Sequence, residues 1–441
     1  MLEFVEEPPK PRLMPGEEED RETLSQGLWM SHDPAIFHDP TSGNYYTYCT
    51  GAIARRSKDL IHWEYLGKVV EDVPKEAAEW TGSHDIWAPD IIKVGDEYRL
   101  YCSNSSWGVQ QSCIFLAVCD CPEGPFVPRG IVLKTSEDLP VNGIDANPVV
   151  EEESGRHFMV YGSFWGGIYL LELDPETGLA KNKDEIGICL AKRPAWMSGA
   201  IEGPYIVYRE GYYYLFVSYG SLKTDYNIRV GRSKKITGPY LDAKGCDLRW
   251  DYNEGNAGQQ AGNLVFSGYA WNDGVAWMAP GHNSVLKDNW CLVCHIRQKN
   301  FTMKPELSTM QIRKLYWSTE GWPMISPEIY AGEELREYTA REIEGFYERI
   351  TFEKSLPQGI STAVPMKFGA DGYYECCSIQ GQWHWMDGEK GNRMKITYGP
   401  YQEEAVVMPV YDRERGCETI GICGISEEGI AFMGKRHKGL A

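Results

Sequence analysis

The sequence has no long hydrophobic run. No stretch of about 18 consecutive apolar residues occurs among its 441 residues, so the sequence predicts no membrane-spanning helix. The first twenty residues are rich in Pro and Glu and lack the apolar core of a signal peptide, and we interpret residues 1–24 as a flexible leader. This interpretation favours a cytoplasmic location, or an extracellular one if a signal peptide has been removed.

Basic residues are also scarce relative to acidic ones. The chain carries 44 Lys and Arg against 63 Asp and Glu, for a net charge of −19. An acidic chain of this kind is a poor partner for nucleic acid or for an anionic membrane surface. The 13 cysteines are odd in number and scattered, and Cys291 and Cys294 have zinc-like spacing without a second pair. Their usage favours reduced, buried thiols over a disulfide framework.

Four short segments, each joining an acidic residue to a proline and a hydrophobic run, recur along the first half of the chain. Measured from Pro34, Pro89, Pro148 and Pro204, the steps are 55, 59 and 56 residues. The segments read HDPAIF from residue 32, WAPDII from 87, IDANPVV from 144 and IEGPYIV from 201. A repeat of this length is typical of an array of supersecondary units.

Strand signals follow each segment, with aromatic and β-branched runs bounded by turn residues. Four strands per unit at this period indicate the blade of a β-propeller, and a weaker fifth copy begins near residue 281. We therefore predict an all-β chain with a five-bladed propeller over residues 25–330. A linker over residues 331–344 and a small β-barrel or sandwich over residues 345–441 complete the prediction.

The starts of the repeated segments should surround one mouth of the propeller channel. This placement gathers Asp33, Asp90, Asp145, Glu202 and His282 into a shared funnel. Several carboxyl groups around a cavity suit glycoside hydrolysis, which needs one protonated acid and one ionised base. Asp before Pro is also a common turn-former, whereas Glu202 has no such role and is the best candidate proton donor.

Seven motifs together resemble glycoside hydrolase family 43, and in particular its longer endo-1,5-α-L-arabinanases with a C-terminal β-domain. The motifs read HDP from residue 32, WAPD from 87, ID from 144, SFWGG from 163, IEGP from 201, VGRS from 230 and GHNS from 281. The resemblance implies that Asp33 is the general base, Glu202 the general acid and Asp145 the residue that tunes and orients the acid. It also implies inversion at the anomeric carbon, with base and acid about 6.5–9.5 Å apart.

The same resemblance assigns roles to several further residues. His282 would hold one calcium ion near the channel, together with water molecules. Phe164 and Trp165 would border the sugar subsites, Trp87 would lie beside the substrate, and Arg232 would neutralise and position the acids. The expected partner is arabinan or an arabino-oligosaccharide.

Two alternatives stay open. An exo-acting α-L-arabinofuranosidase or a β-xylosidase would use the same scaffold, and the insertion over residues 242–263 could close one end of the groove. A non-catalytic carbohydrate-binding propeller is the second alternative, although such a protein has no need of a Glu in the acid position.

Overall fold

A computed structural model describes residues 31–250, 260–299, 308–355 and 359–437. The leader predicted over residues 1–24 lies outside these ranges, as do residues 251–259 of the insertion. In the ranges described, no helix is long and apolar enough to cross a membrane. The structure consists of five propeller blades and one closed barrel, and the predicted all-β architecture is confirmed.

The first two blades are four-stranded antiparallel sheets whose strands follow one another in chain order. Their elements are β1 (Ala35–His38), β2 (Tyr45–Cys49), β3 (Ile53–Ser57), β4 (Trp63–Lys68), helix α1 (Lys75–Thr81), β5 (Trp87–Val94), β6 (Glu97–Asn104), β7 (Ser112–Cys119) and β8 (Val127–Thr135). Helix α1 ends at Gly82, which adopts the left-handed conformation that favours glycine. It connects the first blade to the second.

Blades three and four repeat the same plan. Their elements are β9 (Asn147–Val150), β10 (His157–Tyr161), β11 (Ile168–Leu173), β12 (Ile188–Ala191), a 3-10 helix (Ala195–Met197), β13 (Ile201–Arg209), β14 (Tyr212–Tyr219), β15 (Asn227–Ser233) and β16 (Asn263–Phe266). The second strand of each blade is buried along most of its length, since it lies inside a sheet that is packed on both faces.

Blade five leads into the C-terminal domain. It contains β17 (Tyr269–Ala270), β18 (Trp277–Leu286), β19 (Cys291–Gln298), β20 (Thr309–Trp317) and β21 (Pro323–Ile325), and the short connection that follows holds β22 (Tyr338–Thr339) and helix α2 (Ala340–Ile343). Cys291 and Cys294 on β19 belong to different hydrophobic clusters. Their side chains therefore point to opposite faces of the blade.

The C-terminal domain is a closed antiparallel barrel of eight strands. Its strands are β23 (Gly345–Phe352), β25 (Val364–Phe368), β26 (Tyr373–Cys376), β27 (Ile379–Trp385), β29 (Arg393–Tyr398), β30 (Tyr401–Asp412), β31 (Cys417–Ser426) and β32 (Ala431–Arg436). Two short strands lie outside it: β24 (Ser361–Thr362) extends the sheet of blade five, and β28 (Lys390–Gly391) pairs with β22.

The ring closes through polar contacts between the first and last blades. The Ile36 backbone N–H donates a hydrogen bond to Ser284 Oγ at 3.0 Å, and that hydroxyl donates to the Pro34 carbonyl at 2.8 Å. One hydrophobic cluster continues from blades four and five into the barrel, and includes Trp271 and Met324 on one side and Phe352 and Met408 on the other. The barrel is thus packed firmly against the side of the propeller.

The first strands of the five blades share an unusual backbone feature. One residue in or just before the innermost strand of each blade (β1, β5, β9, β13 and β18) has a positive φ, namely Asp33 (52°), Ala88 (36°), Asp145 (61°), Gly203 (56°) and His282 (47°). The pairing register also shifts at this position in β5, β13 and β18. Such bulges re-aim side chains, and strained backbone of this kind concentrates at functional sites.

Candidate active site

The positive-φ residues surround one mouth of the channel, and each is fixed by the preceding blade. In four blades the contact runs from a backbone N–H to the second strand of the neighbouring blade or to the residue just after it. The pairs are Ala88 to Thr50 Oγ1 (3.1 Å), Asp145 to Ser103 Oγ (2.9 Å), His282 to Ser218 Oγ (2.8 Å) and Asp33 to His295 Nδ1 (3.2 Å). The ring of contacts therefore runs around the whole mouth.

Blade four varies this arrangement, because its acid precedes the positive-φ residue. Ser163, which follows β10, donates a hydrogen bond to Glu202 Oε2 at 2.9 Å. The Gly203 backbone N–H instead donates a hydrogen bond to Asp145 Oδ2 at 3.1 Å. Glu202 and Asp145 are thereby held next to one another on neighbouring blades, as the sequence predicted.

Asp33 is surrounded by donors. Thr50 donates a hydrogen bond to its Oδ2 at 2.7 Å, and His282 Nδ1 lies 3.1 Å from its Oδ1. His32 Nδ1 is 2.7 Å from Oδ2, although it is not aligned for a hydrogen bond. Burial alone would raise the pKa of Asp33, but the positive charge of His282 and of His32 outweighs burial and holds that pKa well below its ordinary value.

The pKa values of the other two acids, Asp145 and Glu202, are shifted in the opposite direction. Burial is the main cause that raises the pKa of Asp145, to about 7, and the negative charges of Glu202 and Asp33 add to it. Burial also raises the pKa of Glu202, against the hydrogen bond from Ser163. The mouth thus combines one acid whose pKa is lowered, Asp33, with two whose pKa is raised, which is the division that acid and base catalysis requires.

His282 lies at the centre of this charge distribution. Its Nδ1 is 3.9 Å from Asp145 Oδ2 as well as close to Asp33. Burial would lower the pKa of His282, but Asp33 and Asp145 outweigh it and raise the pKa to about 10. The ring packs on the backbone of Gly203, where a Cβ atom would come within 3.1 Å of the imidazole.

The donor set fits a cation that is coordinated largely by water. Nδ1 of His282 faces the acids, so Nε2 is the nitrogen that a metal ion could reach. Because only the neutral imidazole can bind an ion, the ion must displace the proton that the raised pKa of His282 favours. Calcium prefers oxygen ligands, and the three carboxyl groups of the mouth supply the negative charge that favours a cation there. His32, Asp33 and His295 also bring potential ligand atoms within 4.8 Å of one another, but His295 Nδ1 already accepts the Asp33 N–H.

Two residues that the sequence analysis missed complete the surroundings of the acids. Tyr226 is fully buried and donates a hydrogen bond to Glu202, and burial raises the pKa of its hydroxyl well above the ordinary value. Gly281 makes room for that ring, since a Cβ atom there would lie 1.8 Å from Tyr226 Cδ1. His295 stacks on Tyr226 with ring centroids 5.7 Å apart. Only the GHNS motif around Gly281 hinted at this packing.

The predicted sugar-binding aromatic residues lie at the same mouth. Phe164 and Trp165 directly follow Ser163, both have positive φ, and their rings meet edge to face at 6.4 Å. The Phe164 backbone N–H donates to the carbonyl of Ile201, which places this segment next to the start of the strand that carries Glu202. Trp87 is half-buried and precedes Ala88 at the start of β5.

Arg232 is the prediction that the structure contradicts. It lies near the end of β15, on the third strand, which runs away from the mouth. Its guanidinium stacks over Trp322 at 4.2 Å and over Tyr212 at 4.6 Å, and it donates to the Glu320 carbonyl. Arg232 therefore lines a cavity of about 660 Å³ between the propeller and the barrel, and it cannot neutralise the catalytic acids.

Asp90 occupies a different place from the other acids. It comes after the bulge of β5, and it accepts a hydrogen bond from Asn147 Nδ2 at 2.7 Å. Asn147 Oδ1 in turn accepts the Ile206 N–H at 2.9 Å. Asn147 of blade three thus links Asp90 of blade two to Ile206 of blade four through hydrogen bonds. Burial raises the pKa of Asp90 to about 7.

Comparison with known proteins agrees with this geometry. The profile of glycosyl hydrolases family 43 matches residues 29–323, and that of a C-terminal lipocalin-like domain matches residues 327–434. Extracellular endo-alpha-(1->5)-L-arabinanase 2 of Bacillus subtilis is 30% identical over 441 residues, covering 90% of this chain and 92% of that protein. Extracellular exo-alpha-(1->5)-L-arabinofuranosidase ArbA of Cellvibrio japonicus is 30% identical over 317 residues, covering 67% of this chain and 86% of that protein.

The structural comparison extends over both domains. The crystal structure of endo-1,5-alpha-L-arabinanase from Thermotoga petrophila superposes with a TM-score of 0.82 at 26% identity, covering 92% of this chain and 98% of that one. With a family profile that spans the whole propeller and a relative that matches along nearly the entire chain, this protein belongs to glycosyl hydrolases family 43 and is a glycoside hydrolase.

Proposed function

We propose that this enzyme hydrolyses internal α-1,5-L-arabinofuranosidic linkages of linear arabinan and its oligosaccharides, with inversion. The observation that carries the proposal is the opposite displacement of two pKa values at one mouth, lowered for Asp33 and raised for Glu202. The substrate class follows from the relatives, since the proteins that match along both domains are named endo-arabinanases.

The proposed reaction needs one proton donor and one activated water. Glu202 protonates the glycosidic oxygen as the bond to the leaving sugar breaks, and Asp33 takes a proton from the water that attacks the anomeric carbon. The two groups belong to blades four and one, so they approach the sugar from different sides of the channel.

The remaining groups of the mouth adjust the pKa of Glu202, fix the orientation of its carboxyl group and border the sugar rings. Asp145 keeps negative charge or a shared proton beside Glu202, which favours the protonated acid. Ser163 and Tyr226 fix the orientation of the Glu202 carboxyl group. Trp87, Phe164 and Trp165 border the mouth and offer apolar faces to the sugar rings.

An exo-acting enzyme is the second candidate, because one relative is named an exo-arabinofuranosidase. That protein covers 67% of this chain, whereas the Bacillus endo-arabinanase covers 90% and so extends over the C-terminal barrel. The product pattern on linear arabinan separates the two modes. Endo action gives oligosaccharides of mixed length from the start, and exo action releases one short product throughout.

The catalytic assignments are tested by Asp33→Asn and Glu202→Gln. Each should lower kcat at least about 100-fold, the usual scale of acid and base catalysis, and leave binding of arabino-oligosaccharides nearly unchanged. Glu210→Gln is the matched control, since Glu210 follows the same strand as Glu202 at its opposite, exposed end. If both active-site variants kept normal turnover, the roles proposed for Asp33 and Glu202 would fail. A wild-type protein that binds arabino-oligosaccharides without cleaving them would instead favour a carbohydrate-binding propeller without catalysis.

We also propose that His282 contributes to a calcium site, through Nε2 and water molecules. The ion would supply positive charge close to the acids. Removal of calcium with a chelator should lower the melting temperature or the activity, and calcium should restore it. His282→Ala should abolish the response to added calcium; a variant that still responds would show that the ion binds elsewhere.

We further propose that the enzyme acts outside the cell. The two relatives that match most of the chain are both named extracellular, and they lend no support to the cytoplasmic location expected from the sequence. Fractionation of the source culture tests the proposal. Most of the protein should appear in the medium or at the cell surface, and its retention with cytosolic markers would refute it.

A further inference from the structure

Three tryptophan side chains are exposed on one end of the propeller. Trp107 is 71% exposed, Trp165 is 44% and Trp196 is 38%. They lie in the connections β6–β7, β10–β11 and β12–β13. Because strand direction alternates within each blade, these connections lie at the end where the first strands begin, which is the catalytic mouth. Exposed aromatic surface in one such region marks a binding surface.

The connection that carries Trp107 rises directly from the acids. It begins after β6, whose Ser103 hydroxyl accepts the Asp145 N–H. Trp107 comes four residues after Ser103, so its backbone lies within about 14 Å of that contact even if the chain is fully extended. Trp107 is therefore close enough to meet a sugar unit next to those at the catalytic centre.

A second connection holds the indole in place. Lys223, in the β14–β15 connection, lies with Nζ 5.2 Å from the centre of the Trp107 ring. This connection ends at Tyr226, which contacts Glu202. Blades two and four thus meet through a cation–π contact in front of blade three. Lys223 covers one face of the indole, and the high exposure of Trp107 leaves apolar surface open beside the mouth.

We propose that Trp107 is an outer sugar-binding platform, positioned by Lys223, that sets the preference of the enzyme for longer arabinan chains. The inference rests on the proposed function. An open indole face suits the C–H face of a neutral sugar, and this surface is continuous with the catalytic mouth. The occupant we infer is therefore the arabinan chain itself, bound beyond the sugar units that react.

The test compares long and short substrates. In Trp107→Ala, kcat/KM for linear arabinan and arabinohexaose should fall about three- to tenfold through a higher KM, with kcat retained. For arabinotriose the change should be less than twofold. Trp107→Phe should restore part of the loss, and Lys223→Met, which keeps the aliphatic stem, should cost about twofold on long substrates.

Val127→Ala is the control, because Val127 is 63% exposed on blade two at the end away from the mouth. Equal losses on short and long substrates in Trp107→Ala would overturn the proposal, as would no loss relative to Val127→Ala. A gain on arabinan would overturn it too, and would show that the contact with Lys223 obstructs the chain. If the wild type leaves arabinan intact, the proposed function itself fails, which is a distinct result.

Discussion

The contact between propeller and barrel offers a quantitative prediction, centred on Lys435. This lysine is fully buried on β32, and its Nζ lies 2.7 Å from Glu328, 2.9 Å from Asp412 and 2.6 Å from Glu414. It also lies 4.8 Å from the Trp271 ring of the propeller. Burial would lower the pKa of Lys435, but the three carboxylates outweigh it and raise that pKa. Lys435→Met removes the cation and keeps most of the volume.

The loss can be estimated from what each acid retains. Asp412 keeps Arg415, whose Nη1 lies 2.8 Å away, and Glu414 is partly exposed. Glu328, which is 3% exposed, is the acid that loses its only ion-pair partner among the residues described. Breaking a buried ion pair from one side costs about 3–5 kcal/mol. Because only one of the three acids is left uncompensated, we expect a loss at the lower end of this range, about 3 kcal/mol in the free energy of unfolding.

Denaturant unfolding followed by tryptophan fluorescence measures this loss, since Trp271 contacts the lysine. Lys244→Met is the matched control, because Lys244 pairs with Glu428 across the same two domains in an exposed position. That pair should contribute nothing measurable. Equal losses in the two variants would refute the reasoning, and so would a Lys435→Met variant as stable as the wild type.

The effect should also depend on pH. Burial raises the pKa of Glu328 to about 7 in the folded protein, above its unfolded value. A raised carboxyl pKa favours folding below the unfolded pKa, and this contribution is lost as pH rises through the folded pKa. Without Lys435 the folded pKa rises further, because the lysine lowers it. The destabilisation should therefore be smaller at pH 5.5 than at pH 8, and a loss that is equal at both would contradict the account.

Three further predictions concern the active site. Ser163→Ala removes a hydrogen bond that lowers the pKa of Glu202, so the alkaline limb of the kcat/KM profile should move to higher pH; an unchanged limb would mean that Glu202 is not the acid. Gly281→Ala forces Tyr226 away from Glu202 and should lower kcat at least about tenfold with the fold retained by circular dichroism, whereas normal turnover would show that Tyr226 is dispensable. Arg232→Ala should leave kcat/KM within twofold of the wild type, and a large loss would restore the role that its position contradicts.

The propeller was predictable because its information is repeated. Strand signals recur in every blade, and an error in one blade is corrected by the others. The barrel was less distinct in the sequence than the propeller, because β31 contains two glycines and lacks a clear alternation of apolar and polar residues. Closure into a barrel depends on pairing between β23 and β32, which are distant in sequence.

The sequence brought the acids of the mouth together, but it did not reveal that Asp33 and Asp145 occupy equivalent positions. Counted from the nearest proline in the sequence, Asp33 and Asp145 stand at different positions. In the structure, however, both have a positive φ just before the first strand of a blade. The position that Pro34 takes directly after Asp33 is held by Ala146 after Asp145, so the proline of blade three stands two residues further along the chain relative to its acid. Arg232 was misassigned for a related reason. A motif gives residue order, but the side of a blade that a third-strand residue reaches depends on strand length and direction.

The contacts between blades explain why function could emerge from a repeated unit. The second strand of each blade, or the first two residues after it, supplies a polar side chain to the start of the next blade: Thr50, Ser103, Ser163, Ser218 and His295. The supporting position is hydroxyl-bearing in four blades, and only the last uses an imidazole, whose Nδ1 accepts the N–H of Asp33. Each acid is therefore held in part by the preceding blade, and Asp33 also accepts a hydrogen bond from Thr50 of its own blade. A change in one supporting residue can alter the pKa or orientation of a single acid while the ring stays intact, which is how equivalent positions would acquire the separate roles proposed for them.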